Sequence, residues 1–173
     1  GYQTIGSPST ALNSISVAAA NDAKNMAYFS SKGPVIWKEN DTSKMILKPE
    51  ITAPGVEICA SQFDSAWNTR KCFDDKHISI SGTSMATPHV AGIAALIKKL
   101  HSTWTPSQVK SAIVNTANEI NEIELFSQGS GFVDALKAAQ PKILIEPATL
   151  NFGLLNEGTN EINFEITNAS NKK

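Results

Sequence analysis

Two cysteines, no run of lysine or arginine longer than two, and no long apolar stretch set the first limits on this chain of 173 residues with a formal net charge of -1. Acidic and basic side chains are interspersed and only Lys172-Lys173 forms a basic tip, so a phosphate backbone or an anionic lipid surface has nothing to steer it. Nucleic acid and membrane are accordingly excluded as expected partners. The longest uncharged apolar stretch, around residues 90–97, falls far short of a bilayer span. The N-terminus also lacks the charged-then-apolar layout of a secretory leader, and a soluble piece of a longer precursor is expected.

Cys59 and Cys72 flank a polar loop. Their spacing leaves two readings open, a bridge made in an oxidising compartment or two unrelated thiols. Asn40-Asp41-Thr42 and Asn168-Ala169-Ser170 fit the N-glycosylation pattern, which matters only on a eukaryotic secretory route. Both features lean towards an extracellular protein.

What is present is apolar material, 41% of residues, enough for one sizeable core and a small appendage. Residues 12–20 alternate into an apolar run suited to a buried parallel strand, and residues 26–29 suggest another short one. The polar segment from Trp37 to Lys48 reads as an exposed excursion. Two extended pieces are expected around Pro54-Gly55, and a strand at residues 77–81 runs into Gly82, which can take backbone angles closed to other residues. The helix that follows carries no charge as far as Ile97 and is apolar almost all round, so burial between other elements is expected, with a neighbouring backbone approaching Gly92. Thr105-Pro106-Ser107-Gln108 is a capping box with proline at the first helical position, and Asp134 caps a last short helix. From residue 142 the pattern turns to strands at 143–145, 149–152 and 160–166, with a turn at Asn156-Glu157-Gly158. The division expected is therefore 1–141 and 142–173, the second part being the opening of a β-sandwich domain.

Ser84 sits where the strand hands over to the helix, near unpaired backbone N–H groups and the positive end of the helix dipole. A hydroxyl there is a weak nucleophile until a base takes its proton. His89 lies about 140° round the helix from Ser84, His77 stands at the far end of the feeding strand, and His101 is several turns away. None of the three is placed to act as that base. Pro88 cannot donate to the carbonyl of Ser84, which loosens the first turn behind the hydroxyl.

The run Gly82-Thr83-Ser84-Met85-Ala86-Thr87-Pro88-His89-Val90-Ala91-Gly92 resembles the nucleophile signature of the subtilisin-like serine peptidases. Gly6-Ser7-Pro8, Phe29-Ser30-Ser31-Lys32-Gly33-Pro34, Lys48-Pro49-Glu50-Ile51-Thr52-Ala53-Pro54-Gly55 and Trp104-Thr105-Pro106-Ser107-Gln108 agree with the same family in order. The resemblance implies an α/β fold, a three-layer sandwich with a mainly parallel sheet, here incomplete and followed by the first strands of an all-β domain. It implies hydrolysis of peptide bonds in protein or peptide substrates through an acyl-enzyme on Ser84, whose backbone N–H forms part of the oxyanion hole, a logic that subtilisin itself exemplifies. Gly6 resembles the family's position lining the pocket for the side chain before the scissile bond; the bland alternative is a turn glycine.

The catalytic aspartate and histidine of that family, and its oxyanion asparagine, precede the serine region and have no matching motif here. A missing N-terminal portion of the catalytic domain is the partner so implied. The family's usual calcium loops are likewise mostly absent, so no cofactor is expected in this chain, with calcium left to the parent protein. Glu50 stands where the family pattern often has aspartate and reads as a structural acid. Two rivals stand beside a peptidase: a non-catalytic relic or interaction module of the same fold, and an α/β-hydrolase esterase. Ala86 disfavours the esterase, since it stands where a Gly-x-Ser-x-Gly elbow needs its second glycine.

Overall fold

The computed structural model describes residues 1–39, 42–64, 66–67, 69–153 and 159–170. In chain order the strands are β1 (Val17–Ala20), β2 (Val35–Glu39), β3 (Thr42–Ile46), β4 (Ile51–Pro54), β5 (Ile58–Ser61) and β6 (His77–Ile80). Helices α1 (Thr83–Leu100), α2 (Pro106–Asn115), α3 (Leu125–Gln128) and α4 (Ala135–Ala139) follow, then β7 (Ile143–Glu146) and β8 (Glu165–Asn168).

The centre is a parallel ladder. β1 and β4 pair in parallel with Val17 opposite Ile51 and Ala19 opposite Ala53, and all four of these side chains are buried. Buried, small and uninterrupted sequence of this kind suits a parallel strand covered on both faces. Thr52 extends the ladder on its other edge, its N–H donating to the carbonyl of Gly131 at 2.8 Å and its carbonyl accepting from Val133 at 2.8 Å. Three antiparallel pairs, β2–β3, β5–β6 and β7–β8, complete the strands described.

α1 lies on the parallel ladder through Ala86, Val90 and Ile97, and α2 adds Val109, Ala112 and Ile113 to the same core. Here the structure corrects the sequence reading. α1 buries one stripe only: Leu96 and Leu100 are 61% and 64% exposed, and a Cβ on Gly92 would meet nothing within 4 Å. Among the described residues that face has no partner; the opposite side of α1 packs on β1, β4, α2 and α4.

α2 begins as expected. Thr105 Oγ1 accepts from the backbone N–H of Gln108 at 3.2 Å, and Gln108 Oε1 accepts from that of Thr105 at 3.0 Å. Two orphan donors are thus satisfied reciprocally. Thr105→Ala should cost about 1 kcal/mol, read as a lower urea midpoint of the intact protein with an unchanged transition slope. Asp134 caps α4 in the same manner, accepting from Lys137 N–H at 3.0 Å.

Several expected strands differ. Residues 12–14 turn and 15–16 are irregular, so β1 is only the last four residues of the run, and around 26–29 a single bridge joins Met26 to Ala20. The polar excursion is in fact the β2–β3 hairpin, anchored where Val35 and Ile46 pair and are buried, with Trp37 Nε1 donating to the carbonyl of Thr10 at 2.7 Å. Residues 149–152 form a loop held by Asn151 Nδ2 donating to the carbonyl of Met45 at 2.7 Å. Only the end of the 160–166 segment is extended, as β8. β7 is docked on α2 by Leu144, 2% exposed, and by Ile145 N–H donating to Ser111 Oγ at 2.7 Å. The Asn156-Glu157-Gly158 turn, Asn40 and Asp41 of the first glycosylation triplet, and Lys172-Lys173 lie outside the described residues.

Candidate functional site

Ser84 is held by a tight crossing of two loops. Gly82 N–H donates to the carbonyl of Gly55 at 2.8 Å, tying the start of α1 to the turn after β4. The glycine this crossing requires is Gly55. A Cβ there would stand 2.7 Å from the Ala19 Cβ and 2.8 Å from the Gly82 carbonyl oxygen. Gly82 itself has φ 166, extended backbone open to any residue, and a Cβ on it would make ordinary contacts. The sequence reading chose the wrong one of the pair, since close approach is a property of the fold and not of the motif.

The second residue of α1 is Ser84, and it is exposed. At that position its N–H precedes the i→i−4 ladder and has no intrahelical acceptor. No side chain caps the N-terminus of α1 and no acidic residue lies in its first turn, so the partial positive charge of this end is uncompensated by the helix's own side chains. Pro88 lies inside the helix, leaving the Ser84 carbonyl without its usual i+4 donor. The neighbouring carbonyls also take side-chain donors: Thr87 Oγ1 donates to Thr83 O at 2.9 Å and His89 Nδ1 to Met85 O at 2.8 Å.

Ser84 and Gly6 line the same pocket, of about 510 Å³. Thr83, Thr87 and Pro88 supply the helix side of this pocket, and Ser7 and Pro8 the loop side. A Cβ on Gly6 would meet nothing within 4 Å, so its bareness leaves open space. Ser31 and Pro49 also line the pocket, brought there by folding from segments that the sequence had marked only as similar to a family pattern.

The three histidines are occupied elsewhere. His77 Nδ1 lies 2.6 Å from Asp74 Oδ1, His89 holds the Met85 carbonyl, and His101 stacks on Trp104 with ring centroids 3.8 Å apart while its Nε2 contacts Ala139 O at 2.9 Å. The Asp74 carboxyl is held below its ordinary range first by the His77 hydrogen bond and then by the Lys76 backbone N–H. That Asp–His pair lies at the end of β6 away from Gly82, and neither residue lines the Ser84 pocket.

Joined to the pocket lining through Ser16 is a buried ionic network that the sequence only hinted at. Glu50, 6% exposed, accepts the Ser16 N–H at 2.8 Å and Lys48 Nζ at 2.9 Å on one oxygen, and Lys110 Nζ on the other. Lys48, 1% exposed, also donates to Ser14 O at 2.7 Å. Burial lowers the Lys48 ammonium's pKa below the ordinary lysine value, and the Glu50 hydrogen bond and charge pull it partly back. The structural acid expected at Glu50 is thus the hub joining the loop before β1, β4 and α2.

Cys59 and Cys72 form a disulfide with Cα atoms 5.9 Å apart, which decides between the two readings of their spacing. Among the described residues no group of three or more His, Cys, Asp or Glu is arranged to hold a metal ion. No helix described is long and apolar enough to cross a membrane.

Residues 1–131 match the sequence model of the subtilase family. The chain belongs to that family. Among its relatives, the subtilisin-like protease SBT4.4 of Arabidopsis thaliana is 42% identical over 130 residues, 70% of this chain and 17% of the relative. The CO(2)-response secreted protease of the same plant is 35% identical over 157 residues, 83% of this subtilase chain and 20% of the relative. The chain thus spans about a fifth of the length of the curated relatives it matches. The α/β fold is likewise shared with the prenylagaramide maturation protease PagA, at a TM-score of 0.63 and 25% identity, over 80% of this subtilase chain and 46% of that one.

Proposed function

We propose that this chain is the serine-bearing part of a subtilase that hydrolyses peptide bonds in protein or peptide substrates through an acyl-enzyme on Ser84. The observation that carries the reading is the meeting of Ser84, at an uncapped helix N-terminus, with Gly6 on one open pocket. The scissile carbonyl would lie over the start of α1, where the Ser84 N–H donates to the oxyanion, and the preceding side chain would enter beside Gly6. The base, its orienting carboxylate and the remaining oxyanion donor come, on this reading, from parts of the protein outside this chain. Two observations support that: no histidine here approaches Ser84, and one face of α1 is apolar and uncovered. This chemistry draws on no cofactor held by the chain; any calcium would sit elsewhere in the protein. Residues 142–173 are read as the opening of a second, β-rich domain docked on α2.

An extracellular setting is part of the same reading. The disulfide is at home in an oxidising compartment, and one relative is named a secreted protease.

Gly6 offers the test. In the intact protein, Gly6→Val should lower kcat/KM about 10- to 100-fold for peptides with a large side chain before the scissile bond. Peptides with glycine or alanine at that position should be cleaved at near the original rate. An equal loss for all peptides would assign Gly6 to a turn rather than to the pocket wall.

A further inference from the structure

The structure holds one feature that peptide hydrolysis does not use, at the far end of the chain. β7 and β8 form a two-stranded antiparallel ribbon in which Ile143 faces Asn168, Leu144 faces Thr167 and Ile145 faces Ile166. Residues opposite one another share a face, and residues two apart along a strand share it too. One face is therefore Leu144, which is 2% exposed. On the other, Ile143 and Ile166 are 47% and 58% exposed and Asn168 is exposed.

The alternation continues past the strand end. Ala169 packs against the core, and its N–H donates to the carbonyl of Lys142 at 3.0 Å. Asn168 and Ser170 stay together on the other side: Ser170 Oγ donates to Asn168 Oδ1 at 2.8 Å. The fold thus sets half-buried Ala169 against the core and holds exposed Asn168 with half-buried Ser170 on the other side, beside uncovered apolar surface.

We infer that Asn168 is an N-glycosylation site, and that its first sugars lie over Ile143 and Ile166. The inference rests on the secretory reading given above. The donor is a polyprenyl-pyrophosphate-linked oligosaccharide, supplied with its transferase in the secretory lumen. Asn168 Nδ2 attacks the anomeric carbon and the N–C bond forms; the C–O bond to the pyrophosphate breaks, the polyprenyl pyrophosphate leaves with the electron pair, and a transferase base takes the amide proton. The modification gives the ribbon's apolar outer face a polar cover, which matters because contiguous exposed apolar surface invites association.

The test is peptide mass mapping of the intact protein secreted from a plant-cell host, before and after a peptide amidase that releases N-glycans and converts the linked asparagine to aspartate. The tryptic peptide spanning residues 143–172 should be missing at its unmodified mass before treatment and recovered with aspartate at position 168 afterwards. Ser170→Ala should abolish the modification, whereas Ser170→Thr should retain it. Unmodified Asn168 in secreted protein with Cys59 and Cys72 joined would overturn the inference while leaving the secretory reading intact, and would mean that other parts of the protein cover this face. Unmodified Asn168 with free Cys59 and Cys72 would overturn both.

Discussion

Replacing Ser84 by alanine in the intact protein should remove peptidase activity while leaving the fold and peptide binding in place. The hydroxyl is exposed, it lines the pocket through a side chain with no packing role, and alanine suits a helix better than serine, so stability should change little. In subtilisin itself, a member of this family, loss of the nucleophile lowers kcat by about 10⁶-fold, and the same order is expected here on that precedent. The loss should fall on kcat, with the Kd of a peptide inhibitor unchanged, because the oxyanion donors and the pocket survive the substitution. A variant that keeps its rate to within about tenfold would take Ser84 out of the covalent step. If wild-type protein and variant are equally inert, the non-catalytic reading of the fold gains instead.

Glu50→Gln should be the most damaging substitution for stability. It leaves Lys48, buried, and Lys110, mostly buried, as two ammonium groups around a neutral amide. Removing one partner from a buried ion pair costs about 3–5 kcal/mol, because the charge left behind has lost its water without keeping its counter-ion. The sign of the pH dependence follows from Lys48. Burial already lowers its pKa, and Glu50 opposes that lowering. Without Glu50 the folded value falls further, while the unfolded value stays at the ordinary figure of about 10.4. Between those two values the unfolded chain binds more protons, so the variant gains stability as pH rises. The deficit in urea midpoint should thus be full below the lowered folded value and shrink as pH rises through it. Joint replacement, Lys48→Met with Glu50→Leu, should recover part of the loss, since it removes the fully buried ammonium and leaves only Lys110, the more exposed of the two, without its counter-ion. A small, pH-independent deficit for Glu50→Gln would place the network's charges in water.

What was legible in the sequence was local. The capping box at Thr105 and Gln108, the aspartate cap at Asp134, the buried run of β1 and the serine at the strand-to-helix turn all depend on residues within a few positions of one another. What escaped depends on distant segments. Half of the side chains in the β2–β3 hairpin are polar, and among its described residues only the Val35 and Ile46 pair at its base is buried. Glu50 reads as structural from its place in the chain, but Lys110 reaches it from 60 residues away, on α2. Gly82 was noticed for its place in a motif, whereas Gly55 carries the close approach that brings the two loops together. The all-round apolar sequence of α1 gave no sign of which stripe the described residues would cover, since such a helix offers every face equally.

At the candidate site, similarity and geometry divided the work. Ser84 and Gly6, 78 residues apart in the chain, were paired beforehand only through a family pattern; the shared pocket is the physical observation. The three histidines, by contrast, were set aside on helical geometry and strand position alone, and their partners in the structure point the same way.

The central claim is that Ser84 becomes a nucleophile when the rest of the protein supplies its base. Treating the intact, active protein with a fluorophosphonate and mapping the adduct tests it most directly. The prediction is a single adduct on Ser84, formed as peptidase activity is lost and blocked by a competing peptide substrate. An adduct on another serine, with activity lost and Ser84 unmodified, would contradict it.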